Sequence, residues 1–191
     1  MGSRALLAVV TVLALAACGE RRDVQPVAQP APPQAPDTAS MGAGPSNANC
    51  GIAALPQEAL DRINAARAAG HRCGARRMAP TFPLKWDPAL YSAASGHSLD
   101  MAKRNYFDHR SPSGVTVNQR ASASNYNWKT VGENLAGGDT SVAEVVQGWL
   151  DSPEHCENLM DPTFNDMAVA CVAQPGTQWG TYWTMMLGRK R

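Results

Sequence analysis

The sequence predicts an α+β domain, and three observations carry that prediction. Two helix starts are spelled out as a cap residue followed by proline, at Asp87-Pro88 and Ser152-Pro153. Near the C-terminus two apolar runs, 166–173 and 180–187, flank the turn Gln174-Pro175-Gly176 and read as an antiparallel hairpin. Helical and extended segments do not alternate regularly, which argues for α+β layers rather than a doubly wound parallel sheet.

The chain opens on segments that are not part of that domain. Met1 to Arg4 carries one positive charge, and Ala5 to Ala17 is uninterrupted by charge. As a helix that apolar run rises about 20 Å, too short for a bilayer core of about 30 Å. A short basic stretch, a short apolar stretch and small residues at its end describe an export signal over residues 1–17. Leu15-Ala16-Ala17-Cys18 resembles the bacterial lipobox, which implies cleavage before Cys18 and a lipid on its sulfur. Gly19 stands where Asp would suggest retention at the inner membrane, so the resemblance favours the outer membrane of a Gram-negative host. Residues 18–49 then carry Pro26, Pro30, Pro32, Pro33, Pro36 and Pro45 among Ala, Gln and Ser, with almost no large apolar side chain. Such a segment cannot offset its ordering entropy by burial and is expected to be a disordered tether. Residues 50–191 remain for one ordinary domain. Across the chain 17 Lys+Arg balance 16 Asp+Glu, so no basic field exists to hold nucleic acid.

Setting Cys18 aside leaves Cys50, Cys73, Cys156 and Cys171, which an oxidising compartment can pair in three ways. The local pairs Cys50–Cys73 and Cys156–Cys171 are expected, the first stapling the ends of the first helical region and the second joining a loop to the strand after it. Zinc binding by these four lacks the usual C-x-x-C pairing.

Within the domain, Pro56 to Ala69 reads as a helix, with Leu60, Ile63 and Arg67 at helical spacing. Asp87 caps a second helix running to about Asn105, with Leu90, Ala94, His97 and Met101 on one face. Thr116 to Ala121 reads as a short helical turn and Val131 to Ala136 as a strand. Thr140-Ser141 opens a helix whose apolar stripe includes Val142, Val145, Val146 and Trp149, and a further short turn starts at Ser152.

Four stretches hold chemistry. They are Asn105 to Gly114 with His109, Val131 to Ala136 with Glu133 and Asn134, Trp149 to His155 with Ser152, and the final hairpin with Tyr182 and Trp183. In this order, and preceded by Ser98 to Ala102, they resemble the CAP superfamily of cysteine-rich secretory proteins, antigen 5 and pathogenesis-related proteins, and above all its bacterial SCP-domain branch. The resemblance runs from about Ala54 to Gly188. It implies an α-β-α sandwich with a central antiparallel sheet and an open cleft of two histidines and acidic residues. His109 matches the first histidine, Glu133 an acidic position and His155 the second histidine of the bacterial branch. Animal members often carry a further glutamate where this chain has Ser152.

Two imidazoles beside a carboxylate can bind zinc or another divalent metal, or the carboxylate can raise an imidazole's pKa and make it a general base. The expectation is that His109 and His155 face each other with Glu133 between them. Ser152 invites a Ser-His-Glu triad, yet a serine before proline at a helix start is the usual cap, and no Gly-x-Ser-x-Gly elbow surrounds it. His97 reads as a core histidine, His71 as an inert loop residue, and Trp149, Trp179, Trp183 and Tyr182 as packing. Two functions follow: an envelope-anchored binding module for a metal, lipid, glycan or peptide, or a hydrolase of peptide or cell-wall material. A purely structural envelope protein is the third reading.

Overall fold

The computed structural model describes residues 48–191. The expected export signal, the lipidated Cys18 and the tether up to residue 47 lie outside the described residues. Five helices and six strands follow the order α1 (Leu55–Ala69), β1 (His71–Cys73), β2 (Arg76–Met78), β3 (Lys85–Trp86), α2 (Pro88–Arg104), α3 (Val117–Ala123), β4 (Trp128–Gly137), α4 (Val142–Asp151), α5 (Pro153–Met160), β5 (Asp166–Ala173) and β6 (Thr181–Lys190).

Local chemistry sets the helix ends. The Asp87 carboxylate accepts from the backbone N–H groups of Ala89 and Leu90, and Asn105 closes α2 in the left-handed region at φ 50°. Thr116 with Gln119, and Ser141 with Glu144, form capping boxes at the starts of α3 and α4.

The main sheet has the order β3-β5-β6-β4. β6 runs antiparallel to both neighbours, and only the two-residue β3 lies parallel, against the start of β5. β5 and β6 are buried on both faces, so period-2 alternation separates two cores rather than core from water. Met167, Val169 and Cys171 pack with Trp183 and Met185 against α1 and α4. Ala168, Ala170 and Val172 pack with Tyr182 and Met186 against α2 and α3. This is an α-β-α sandwich around a central sheet that is antiparallel except at its short β3 edge.

The expected disulfides are corrected. The structure joins Cys50 to Cys171 and Cys73 to Cys156, with Cα separations of 5.2 Å and 5.3 Å. Cys50–Cys73 fails because α1 lies between them. Its 15 residues rise about 22 Å, and a disulfide spans less than about 7 Å between Cα atoms. Cys156–Cys171 fails because Cys171 sits mid-strand beside the incoming N-terminal segment, where Cys50 N donates to Cys171 O at 3.1 Å. Cys156 instead faces the small β1–β2 hairpin, with Cys73 and Met160.

Candidate functional site

The site is organised by β4, the outer strand of the main sheet beside β6. Consecutive side chains of a strand point to opposite faces, so Glu133 and Asn134 reach two different layers.

Glu133 turns toward α2 and α3. Its carboxylate is 2% exposed and takes the Arg120 guanidinium on Oε2 at 2.6 Å and His109 Nδ1 on Oε1 at 2.8 Å. A carboxylate ion can only accept, so Nδ1 of His109 carries the proton and Nε2 is left unengaged on a side chain that is 57% exposed. Arg120 also donates to the carbonyls of His109 at 2.9 Å and Val115 at 3.2 Å. One guanidinium therefore neutralises the acid and fixes the loop that carries the histidine. His97 is buried as expected. It donates through Nε2 to the Asp108 carbonyl at 3.0 Å and approaches Glu133 Oε1 to 3.9 Å.

Asn134 turns the other way. Its amide donates to the His155 carbonyl at 3.0 Å and accepts from Asn158 at 3.0 Å. The Trp149 indole N–H donates to the Leu135 carbonyl at 3.0 Å, and Asn158 reaches the Glu133 carbonyl at 3.4 Å. These side chains cap outward carbonyls of the edge strand, which blunts strand addition there. The glycine of Gly-Glu-Asn has a packing cause: a Cβ on Gly132 would lie 2.8 Å from the Phe164 ring.

The imidazoles of His109 and His155 are shifted in opposite directions. The hydrogen bond to Glu133 raises His109 above the ordinary imidazole value. Burial lowers His155, and the neighbouring charge of His109 lowers it further. Burial also lowers His97, against the pull of Glu133. Near neutral pH the pair thus offers one imidazole biased toward the cation and one biased toward the neutral form.

His109 and Glu133 are in contact as the sequence suggested, and His155 lies within electrostatic reach of His109. Glu133 does not sit free between the imidazoles, since both its oxygens are occupied. Ser152 joins α4 to α5 and its side chain makes no cap hydrogen bond. With Glu133 spent on Arg120 and His109, no Ser-His-Glu triad is assembled. Among the described residues no group of three or more His, Cys, Asp or Glu side chains is arranged to hold a metal ion. Arg120 was missed from sequence: an arginine in a short helical turn looks like any solvated charge. The one available signal was the buried acid itself, which demands a cation. Trp149, Tyr182 and Trp183 are core residues, and Trp179 is half exposed.

A three-layer fold with an edge strand that holds one histidine from each face defines an SCP-type domain. The chain belongs to the cysteine-rich secretory protein (CAP) family, whose model matches residues 60–187. It is 31% identical over 146 residues to the uncharacterized protein YkwD of Bacillus subtilis, covering 76% of this chain and 53% of that protein. Among solved structures, an extracellular SCP-domain protein from Bacillus anthracis superposes with a TM-score of 0.59 at 28% identity, over 71% of this chain and 40% of its own. An outer surface protein of Borrelia burgdorferi shares the fold, at 21% identity and a TM-score of 0.53, covering 58% of this chain and 80% of that one. The chain thus spans about half the length of the curated relative, 53%. Among the described residues no helix is long and apolar enough to cross a membrane.

Proposed function

We propose that this chain is an exported lipoprotein, held by a lipid on Cys18 at the outer membrane of a Gram-negative envelope, whose CAP domain binds a ligand in the His109–His155 cleft. The observation that carries the binding reading is the burial of Glu133 between Arg120 and His109. An acid that is 2% exposed and bonded to both Arg120 and His109 is closed off from a substrate, so it serves to orient His109 and favour its cationic form. The cleft then presents a donor at His109 and an acceptor at His155, which suits a ligand with an anionic or carbonyl group beside a hydroxyl or amide. Lipid headgroups, glycans and peptides of the envelope all offer such pairs.

The same imidazoles are the nitrogen donors that zinc or another divalent cation would use. Carboxylate support at Nδ1 is what metal-binding histidines commonly show, but two donors are one fewer than the three protein ligands of catalytic zinc. Water or the ligand itself would complete the coordination, and no step is assigned to a metal here. A second reading, an acid/base hydrolase of peptide or cell-wall material, draws on the opposite shifts of His109 and His155, a pattern shared by acid/base pairs.

One experiment separates the readings. The protein is titrated with soluble cell-wall fragments while the histidine ring resonances are followed by NMR, and the mixture is analysed for products. Saturable shifts at His109 and His155 without product support binding. Product formed by the wild type and lost in His109→Ala would establish the hydrolase instead. Unperturbed resonances with every fragment would remove the cleft from consideration.

A further inference from the structure

The segment from Gly70 to Trp86 has no acidic residue, yet it carries Arg72, Arg76, Arg77 and Lys85. Its β1–β2 hairpin places Arg72 directly opposite Arg77. Cross-strand partners share a face, and like charges directly opposite each other oppose pairing. Arg76 is paired with Glu157 at 3.1 Å on the other face, which is turned to α5 by the Cys73–Cys156 bond. Among the described residues neither Arg72 nor Arg77 has a carboxylate partner. Both line a concavity of about 510 Å³ with Gly70, His71 and Pro80. An unneutralised arginine pair held at the mouth of a concavity is a place for an anionic group.

Two residues beyond Pro80, which lines that concavity, comes the most exposed large apolar side chain among the described residues. Phe82 is 82% exposed. It is held there by its backbone, since Phe82 O accepts from Arg67 Nε at 2.8 Å and Thr81 N donates to Arg67 O at 2.8 Å. Arg67 is itself fully buried and donates further to the carbonyls of Leu159 and Asp161. Pro80 and Pro83 flank the loop and restrict it further. A buried arginine thus fixes a loop that presents a bare phenyl ring to solvent.

We infer that the β1–β2 hairpin and the Phe82 loop form a docking surface for a bilayer containing anionic phospholipid, with Arg72 and Arg77 at the phosphates and Phe82 in the interfacial layer. An exposed apolar side chain together with two cations that lack carboxylate partners combines the two forces that hold proteins on membranes. The surface shares no residue with the His109–His155 site and needs no lipid on Cys18. Its role is to set how the domain lies against such a bilayer.

The test uses the chain from Gly19 onward, which keeps every described residue and carries no acyl group. Binding is measured by co-sedimentation with vesicles of phosphatidylglycerol and, separately, of phosphatidylcholine. Binding to phosphatidylglycerol alone is expected, weakening as salt rises. Each arginine removed should weaken it about fivefold, so Arg72→Ser with Arg77→Ser should lose about 25-fold. Phe82→Ser should weaken what persists at high salt, where charge is screened. Lys103→Ser, on the remote α2, should bind as the parent does. Relief of like-charge opposition means that Arg77→Ser should melt no lower than the parent, so its loss of binding cannot be blamed on unfolding. Equal binding by the parent and the double arginine variant would overturn the inference. So would equal affinity for both vesicle types, or capture of inorganic phosphate without vesicle binding, which would mark a site for free anions.

Discussion

At Glu133 one carboxylate meets three groups with different demands, and their balance sets the electrostatics of the cleft. Arg120 supplies a permanent cation, His109 a titrating donor and His97 a buried ring that burial keeps neutral. The expected histidine order by NMR titration is therefore His109 above the ordinary imidazole value, with His97 and His155 below it. A His109 that titrates with His155 would show that the contact with Glu133 is absent in solution. Removing Arg120 leaves a buried charge without its partner, so Arg120→Ala should cost about 3–5 kcal/mol, measured by urea denaturation. The histidine and the acid were legible in the sequence because each interrupts a patterned segment, a loop for His109 and an apolar run for Glu133. Arg120 was not, because its meaning depends on a contact with a strand 13 residues further on.

The elements were read best where caps and periodicity agree. Asp87-Pro88 marks α2 and Thr140-Ser141 marks α4, since the group that satisfies the free N–H donors stands at the helix start itself. Three strands escaped. β1 and β2 have three residues each and β3 has two, too short for alternation to show. The first and last of these depend on distant partners, β1 on the disulfide to α5 and β3 on β5. Cysteine pairing was misread for the same reason, because sequence proximity does not report proximity in the sandwich. Cys73 and Cys156 are 83 positions apart. In the chain-entropy account, replacing both with Ala should lower stability by about 4–5 kcal/mol. The readout is the urea midpoint, and an unchanged midpoint would mean that α5 holds the hairpin without the bond.

For the whole molecule, the shifted histidines make stability depend on pH in opposing ways. His97 and His155 have folded values below the ordinary 6.5. As pH falls below 6.5 the unfolded chain takes up protons that these two folded rings refuse. Their contribution is thus present above 6.5 and is lost as pH falls toward the lowered folded values. His109 is raised above 6.5, so its contribution is full below 6.5 and is lost as pH rises through the raised value. His109 is more than half exposed and His97 is buried, so the lowered rings dominate, and the thermal midpoint should drop between about pH 7 and pH 5. His97→Gln should flatten that drop, and an undiminished slope would assign the acid sensitivity elsewhere. The layered α+β class was readable because the helical and extended segments fall in irregular order. The division of the core into two faces of one sheet was not, because a strand covered on both sides shows no alternation of polarity.

The two covalent links are nested, the inner pair lying between the members of the outer one. A polypeptide threaded through a pore from its amino end delivers the first thiol long before the last. An oxidant acting on neighbours as they arrive would join Cys50 to Cys73 and then Cys156 to Cys171, and neither bond exists in the finished fold. For a chain exported as proposed, maturation would either delay oxidation until the sheet has closed, or proceed through thiolate exchange by an isomerase that undoes early mistakes.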